Sequence, residues 1–328
     1  MSPASRPPAI SVIIPTYNGR HLLAICLPSL YRQNMDDFEA IVVDNGSADG
    51  TREFLEASFP KVRGIYFKER LGFAKAANAG MAAARGEYIA LLNNDTEVDP
   101  NWLTALKNRL DTVPQIGFCA SKLISFDKRG ILDGAGDVYL RDGHAQRLGW
   151  GLPDSPQFQK SFKIFGACGA ASIYRRALLE KTGLLDEDFA MYYEDVDLNF
   201  RAQLYGFQCE FVPEAVVYHM GSASSNPKTM FLLARNSVFV IVKNWPAPLL
   251  RKNLPRAVAA RIKLAWDFLK SNRPLAFSYL KGTFLALLEL PSLMRKRRSI
   301  QKNARVTPDY IQELFRQSER LYCKPRPE

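Results

Sequence analysis

Cysteine is scarce in this chain: five in 328 residues, at positions 26, 119, 168, 209 and 323, with no C-x-x-C pair among them. Thiols so scattered exclude a zinc knuckle and a disulfide framework and point to a reducing compartment. Long apolar runs are missing too. No stretch of about 18 uncharged apolar residues occurs, so no membrane-spanning helix is expected; the nearest, Leu275 to Met294, is interrupted by Lys281, Glu289 and Pro291. Met1 to Pro8 is short, polar and proline-rich, unlike a signal or transit peptide. After the first strand stands Thr16-Tyr17-Asn18-Gly19 rather than spaced glycines, which argues against a dinucleotide site, and a P-loop is absent as well. There is no internal repeat and no low-complexity tract.

What is present is a globular composition, 47% apolar and 23% charged, with an uneven charge. Residues 1–227 hold 23 Lys+Arg against 27 Asp+Glu, whereas residues 228–328 hold 21 against 6. The basicity belongs to the tail. A nucleic-acid-binding protein is one reading of such a tail, but no RNP, zinc-finger or helix-turn-helix signature accompanies it and the acidic first part repels phosphate. No nucleic-acid partner is expected.

The first hundred residues alternate apolar runs with helical patterns. Ile10 to Pro15 reads as a strand ended by its proline, followed by a helix to about Gln33. Next come a strand from Phe38 to Val43, a helix from Thr51 capped by Ser47 or Asp49, a strand from Val62 to Phe67, a helix from Phe73 to Ala84, and a strand from Tyr88. Short loops between strands and helices indicate an α/β fold with a mainly parallel sheet covered on both faces. In such sheets ligands bind at the carboxyl ends of the strands. The strand Tyr88 to Leu92 stops at Asn93-Asn94-Asp95, where carboxylate and amide oxygens suit a divalent cation beside phosphate; a plain turn before the helix Asn101 to Thr112 is the alternative. Thr16, Tyr17, Asn18 and Asp44 open onto the same edge. Asp44 either accepts hydrogen bonds from a base or ribose or caps the Asn45-Gly46 turn.

Beyond the strand Ile116 to Ile124, the glycine- and aspartate-rich stretch Ser125 to Gln159 predicts irregular loops with a short hairpin that carry part of the substrate specificity. The small residues Gly166 to Ala171 signal either close packing or room for a sugar ring. Glu194 to Tyr205 reads as a helix ended by Gly206. Glu194 and Asp195 occupy its first turn, where the helix dipole favours ionised carboxylates, the form a general base requires; helix decoration is the bland alternative. Asp197 is spaced to pair with Arg201. Phe207 to His219 reads as two short strand pieces, and His219, one of three histidines, again follows an apolar strand, placed to share a cation with Asp95.

Taken in order, Ser11-Val12-Ile13-Ile14-Pro15-Thr16-Tyr17-Asn18, Val43-Asp44-Asn45-Gly46-Ser47-Ala48-Asp49-Gly50-Thr51, Gly72 to Asn78, Arg85 to Tyr88, Asn93-Asn94-Asp95, Tyr193 to Asp197 and His219 resemble the family 2 glycosyltransferases of GT-A fold. Among these, the chain looks most like bacterial rhamnosyltransferase-type members that build cell-surface polysaccharides. The resemblance implies that Thr16, Tyr17 and Asp44 hold the nucleoside of a UDP- or dTDP-sugar, with Asn18 and Asn78 near it. Asp95 is then the metal-binding carboxylate of the DxD element for Mg²⁺ or Mn²⁺, with Asn94 beside it and Asn93 at its first acidic position. Asp195 becomes the catalytic base, Glu194 its neighbour at the acceptor, and His219 a further metal ligand. A sugar nucleotidyltransferase is a weaker alternative, because Asn18-Gly19-Arg20 is too sparse for a triphosphate loop.

Residues 1–227 are accordingly expected to form the catalytic domain and residues 228–328 a helical basic extension. Arg256 to Lys270 places Val258, Ile262, Trp266 and Leu269 along one side. Leu275 to Leu290 is apolar and aromatic, and Arg295-Lys296-Arg297-Arg298 follows. Amphipathic basic helices of this kind lie in membrane interfaces. The expectation is a protein held peripherally on the cytoplasmic membrane face, near a lipid-linked glycan acceptor; the alternative is that these helices pack on the catalytic domain.

Overall fold

Seven residues, Ile10–Thr16, form β1, and every one of them is buried, because a strand covered by helices on both faces has no solvent side for polar residues. It continues through Pro15 to Thr16 instead of ending at the proline. The ladder to its neighbour on one side has stopped at Ile13, so Pro15 interrupts a ladder on one side only. The computed structural model describes residues 6–221 and 226–323. The leader expectation for Met1 to Pro8 falls largely on residues 1–5, outside the described residues.

The alternation then runs α1 (Arg20–Leu30), β2 (Phe38–Asp44), α2 (Thr51–Ser58), β3 (Arg63–Tyr66), α3 (Phe73–Ala83) and β4 (Tyr88–Leu92). Helix α2 is preceded by Gly50 in the left-handed region, φ 77°, so neither Ser47 nor Asp49 is its cap residue. Both are engaged across the loop: Ser47 Oγ accepts the Asn18 N–H and Asp49 accepts the Arg20 N–H. A short strand, β5 (Thr96–Val98), precedes α4 (Trp102–Thr112) and β6 (Ile116–Ser125). The glycine-rich stretch contributes β7 (Leu132–Gly134) and the hairpin β8 (Asp137–Tyr139) with β9 (Ala145–Arg147). Then follow β10 (Phe162–Ile164), β11 (Ala171–Arg175), α5 (Arg176–Thr182), α6 (Glu194–Leu204) and β12 (Gln208–His219). The two pieces expected near the end of this region are one strand, β12, whose register with β6 shifts between Val212 and Val216, around Pro213.

Among the described residues the main sheet runs β10-β12-β6-β11-β4-β1-β2-β3, with β5 on β12 and β7 on β6. It is parallel through β4-β1-β2-β3 and between β6 and β12, with β11 antiparallel between β4 and β6. One face packs on α1 and α4 through Leu23, Leu27, Trp102 and Leu106. The other packs on α3 and α6 through Ala77, Met81 and Leu198.

The basic tail is helical: α7 (Pro227–Asn244), α8 (Ala247–Ser271), α9 (Arg273–Leu288), α10 (Leu290–Lys302) and α11 (Pro308–Tyr322). It is not free of the rest. Trp245 and Phe315 join Tyr139, Phe165 and Phe200 in one buried aromatic cluster, and Trp245 Nε1 donates to the Tyr139 hydroxyl at 3.2 Å. Helices α7, α10 and α11 thereby share a core with α6.

Candidate active site

Strand order reverses at β1, with β2 and β3 added on one side and β4 and β11 on the other, and a crevice opens at that point beyond the strand ends. The cleft there has a volume of about 570 Å³, within the range of small-molecule sites. Thr16, Tyr17, Asn93, Asn94, Asp95, Glu194, Asp195 and His219 all line it. Candidates separated by as much as two hundred residues of chain are thus brought to one cavity. At its edge the Arg70 guanidinium lies 4.3 Å from the centre of the Tyr17 ring, and Asn94 Nδ2 donates to Thr16 Oγ1 at 2.7 Å.

Three candidates are placed differently. Asn18 turns into its own loop, where its Oδ1 accepts the Ala48 N–H at 2.8 Å. Asp44 is in register with Thr16, but its Oδ1 accepts the Ser47 N–H at 3.0 Å, as in the turn-capping alternative; the adjacent Asn45 lines the cleft instead. Asn78 lies outside the lining and is fully committed: its Oδ1 accepts the Leu185 N–H and its Nδ2 donates to the Leu185 carbonyl and to Glu187. Its amide serves to fasten the segment leading to α6.

Asp95 and His219 come together as expected, with His219 Nε2 3.3 Å from Asp95 Oδ1. That nitrogen is buried and makes no hydrogen bond. The other ring nitrogen, Nδ1, is 2.7 Å from Asp133 Oδ2, and Asp133 in turn accepts from Arg147 Nη1 at 2.5 Å. Burial alone would lower the pKa of His219, but the hydrogen bond to Asp133 and the negative charges of Asp133 and Asp95 raise it to about 9. An orphaned buried nitrogen facing a carboxylate, with its ring held from behind by a second carboxylate, is the arrangement of histidine metal ligands. The residues present therefore fit a divalent cation bound between Asp95 and His219.

The first turn of α6 supplies the other half of the site. Asp195 Oδ2 accepts the Gly169 N–H at 2.8 Å, and Oδ1 accepts the Val196 N–H at 2.8 Å. A Cβ at Gly169 would stand 3.2 Å from that carboxylate, so the absence of a side chain there lets the backbone donor approach. Burial raises the pKa of Asp195, against the lowering effect of the Gly169 and Val196 N–H groups and Arg147. Glu194 is pushed up to about 8 by burial and by Asp195, and its Oε2 is buried without a partner. Within the small-residue run, Ala167 and Ala171 are fully packed, whereas Cys168, Gly169 and Ala170 line the cleft.

Sequence reasoning missed Asp133, Asp137, Arg147 and Cys168. Asp137, Cys168 and Asp195 place ligand atoms within 4.8 Å of one another, and Asp137 is raised to about 8 by burial and by Asp195. Arg147 already supplies positive charge here, with Nη2 3.4 Å from Cys168 Sγ. Burial lifts the Cys168 thiol to about 12, so it is no nucleophile. The available signal was Asp133-Gly134-Ala135-Gly136-Asp137, two carboxylates in a glycine-rich turn. Its partner Arg147 lies on the far strand of a hairpin whose pairing the sequence does not reveal.

The approach to α6 is held in a sparsely populated backbone conformation. Ala190, Tyr192 and Tyr193 have φ of 61°, 67° and 69°, each costing on the order of 1–3 kcal/mol. Fully buried Asn236 of α7 directs its Nδ2 at the carbonyls of Phe189, Met191 and Tyr192 at 2.9, 2.9 and 2.7 Å. Asn236→Ala is therefore expected to reduce turnover ~10- to 100-fold by displacing Asp195. Steady-state kinetics should show the loss in kcat more than in donor KM, with the fold retained by circular dichroism.

Known proteins are similar to this chain in sequence and fold. Residues 11–183 match the family described as Glycosyl transferase family 2. A protein of Sinorhizobium fredii called "Uncharacterized protein y4gI" is 30% identical over 68% of this chain, which spans 25% of that protein's length. The N-acetylglucosaminyl-diphospho-decaprenol L-rhamnosyltransferase of Mycobacterium tuberculosis is 26% identical over 78% of this chain and 92% of its own. Among solved structures, the Pyrobaculum calidifontis mannosyltransferase PcManGT in complex with GDP-Man and Mn²⁺ aligns with TM-score 0.55 and 18% identity, covering 98% of this chain and 89% of that one. Residues 1–349 of TarS from S. aureus in complex with UDP-GlcNAc align with TM-score 0.58 and 18% identity, covering 95% and 91%.

Proposed function

The chain belongs to glycosyltransferase family 2 and has the GT-A fold, and on that premise we propose that it moves a sugar from a UDP- or dTDP-sugar to an acceptor hydroxyl in one displacement with inversion. The observation that carries this reading is the presence of Asp195, held by two backbone N–H groups, in the same cleft as the Asp95–His219 pair. Asp95 and His219 would hold Mg²⁺ or Mn²⁺, which neutralises charge on the departing diphosphate. Thr16 and Tyr17 receive the nucleoside, with Asn45 at the cleft wall in the place expected for Asp44. Asp195 removes the acceptor proton as the acceptor oxygen bonds to the anomeric carbon and the bond to the diphosphate breaks. Glu194 Oε2, buried without a partner, accepts a hydrogen bond from the acceptor.

The acceptor in this reading is a lipid-linked glycan of cell-surface polysaccharide assembly, as the name of the mycobacterial relative suggests. The enzyme would then work peripherally at the cytoplasmic membrane face. Among the described residues no helix is long and apolar enough to cross a membrane.

Purified protein screened against nucleotide sugars, with and without EDTA, tests the proposal. Release of a nucleoside diphosphate, lost with EDTA and restored by Mn²⁺, is expected; release of pyrophosphate would identify a sugar nucleotidyltransferase instead. Asp133→Asn leaves the ligands in place but loosens the His219 ring. It should raise the Mn²⁺ concentration for half-maximal activity ~10- to 100-fold, with activity recovered at saturating metal.

A further inference from the structure

Helix α8 leaves a row of large apolar side chains outside. Toward the protein it presents Leu249, Asn253, Ala257, Arg261 and Ala265, with Leu264 and Phe268 partly buried, and Arg261 is held there by the Asp142 carbonyl and Ser237 Oγ. Leu254, Val258, Ile262 and Trp266, a row at successive four-residue spacings, face outward and are 44–65% exposed. Rotating such a helix inward would bury side chains worth roughly 1.5–3 kcal/mol each. Its neighbour does the same. Helix α9 packs beside α8, with the Phe268 and Tyr279 rings 6.0 Å apart, and exposes Phe277, Leu280, Phe284, Leu287 and Leu288. Exposed apolar rows on two neighbouring helices mark an interaction site.

The surroundings of this surface identify its occupant. Residues 247–302 carry 13 Lys+Arg against 2 Asp+Glu. Lys270 Nζ stands 5.0 Å from the Trp266 ring centre, while Arg273, Lys281 and Arg295 are exposed close to the apolar rows. We propose that the outer faces of α8 and α9 dock in the headgroup region of an anionic phospholipid bilayer. Apolar side chains enter the interface, and each neighbouring cation adds about 1 kcal/mol. A second copy of this chain would set the same cations against one another. The inner side of α9 packs toward the cleft: Gly282 lies on the Phe231 carbonyl of α7, where a Cβ would stand only 2.3 Å away, and Leu233, in the same turn of α7, lines the cleft. Docking here would bring the cleft to the plane from which a lipid-linked acceptor is presented. The inference extends that acceptor reading but does not depend on sugar transfer.

Cosedimentation of the full chain with vesicles one-third phosphatidylglycerol in phosphatidylcholine, against phosphatidylcholine alone, tests it without any sugar donor. At about 0.15 M salt, binding to the anionic vesicles at least ~10-fold tighter than to the neutral ones is expected. Ile262→Asp combined with Phe284→Asp, both at exposed sites, should lose at least ~10-fold of that binding with an unchanged circular dichroism spectrum. A chain that stays in solution with both vesicle types overturns the proposal, as does binding that survives the double substitution. So does a dimer, seen by light scattering, that the substitutions dissociate without vesicle binding ever occurring.

Discussion

Asp195→Asn is expected to lower turnover ~10²- to 10⁴-fold while donor binding, measured by nucleotide-sugar titration, stays within about twofold. The amide preserves shape and its oxygen can still accept the Gly169 N–H, but its nitrogen cannot accept the Val196 N–H that Oδ1 holds in the native protein, so an unchanged circular dichroism spectrum is part of the test. What it loses is the ability to take a proton. The pH profile distinguishes this from a loss of positioning. Burial holds the Asp195 carboxyl above the usual aspartate value, so the wild-type enzyme should lose activity as pH falls through that raised value and the base becomes protonated. The residual activity of the asparagine variant should show no such acid limb. Near-normal turnover in the variant would remove Asp195 from the role of base and with it the mechanism proposed above.

Lys243→Met carries the largest expected effect on stability. Lys243 is 1% exposed, and its Nζ lies 2.7 Å from Asp197 Oδ1 and 2.5 Å from Asp186 Oδ2. Asp197 is fully buried two residues after the base and is also bound by Arg201 Nε at 2.9 Å and Asn244 Nδ2 at 2.8 Å. Methionine fills similar space but leaves the buried Asp197 carboxylate short of a cation, and breaking one partner of a buried pair costs ~3–5 kcal/mol. For a chain of this size that is a fall in Tm of roughly 4–7 °C, read by differential scanning fluorimetry. The exposed Lys263–Asp267 pair is the internal control, since surface pairs contribute little; Lys263→Met should leave Tm unchanged. An equal, small shift in both variants would show that the buried network does not tie α7 to α6.

Local pattern made the first half of the fold legible. Short apolar runs such as Val12 to Ile14 and Tyr88 to Leu92 read as strands covered on both faces, and each ends where polar residues begin. The Asp197–Arg201 pair, four residues apart on one helix, was legible for the same reason and is found as expected. Asn78 was not. Its two-way hydrogen bonding to Leu185 spans a hundred residues, and no local pattern tells a loop anchor from a nucleotide ligand. The rows on α8 illustrate a related limit: spacing shows that Val258, Ile262 and Trp266 share a side, but not whether that side faces the protein or the solvent.

The sequence by itself determined the strand–helix alternation, the polar strand ends and the family, because these follow from periodicity and from short motifs in a fixed order. Only the tertiary structure decided that Asp133 and Arg147 support His219, that Asn236 holds the left-handed turn before Asp195, and that α8 and α9 turn their apolar rows outward. Those contacts join residues far apart in the chain, and their geometry depends on how whole elements pack against one another.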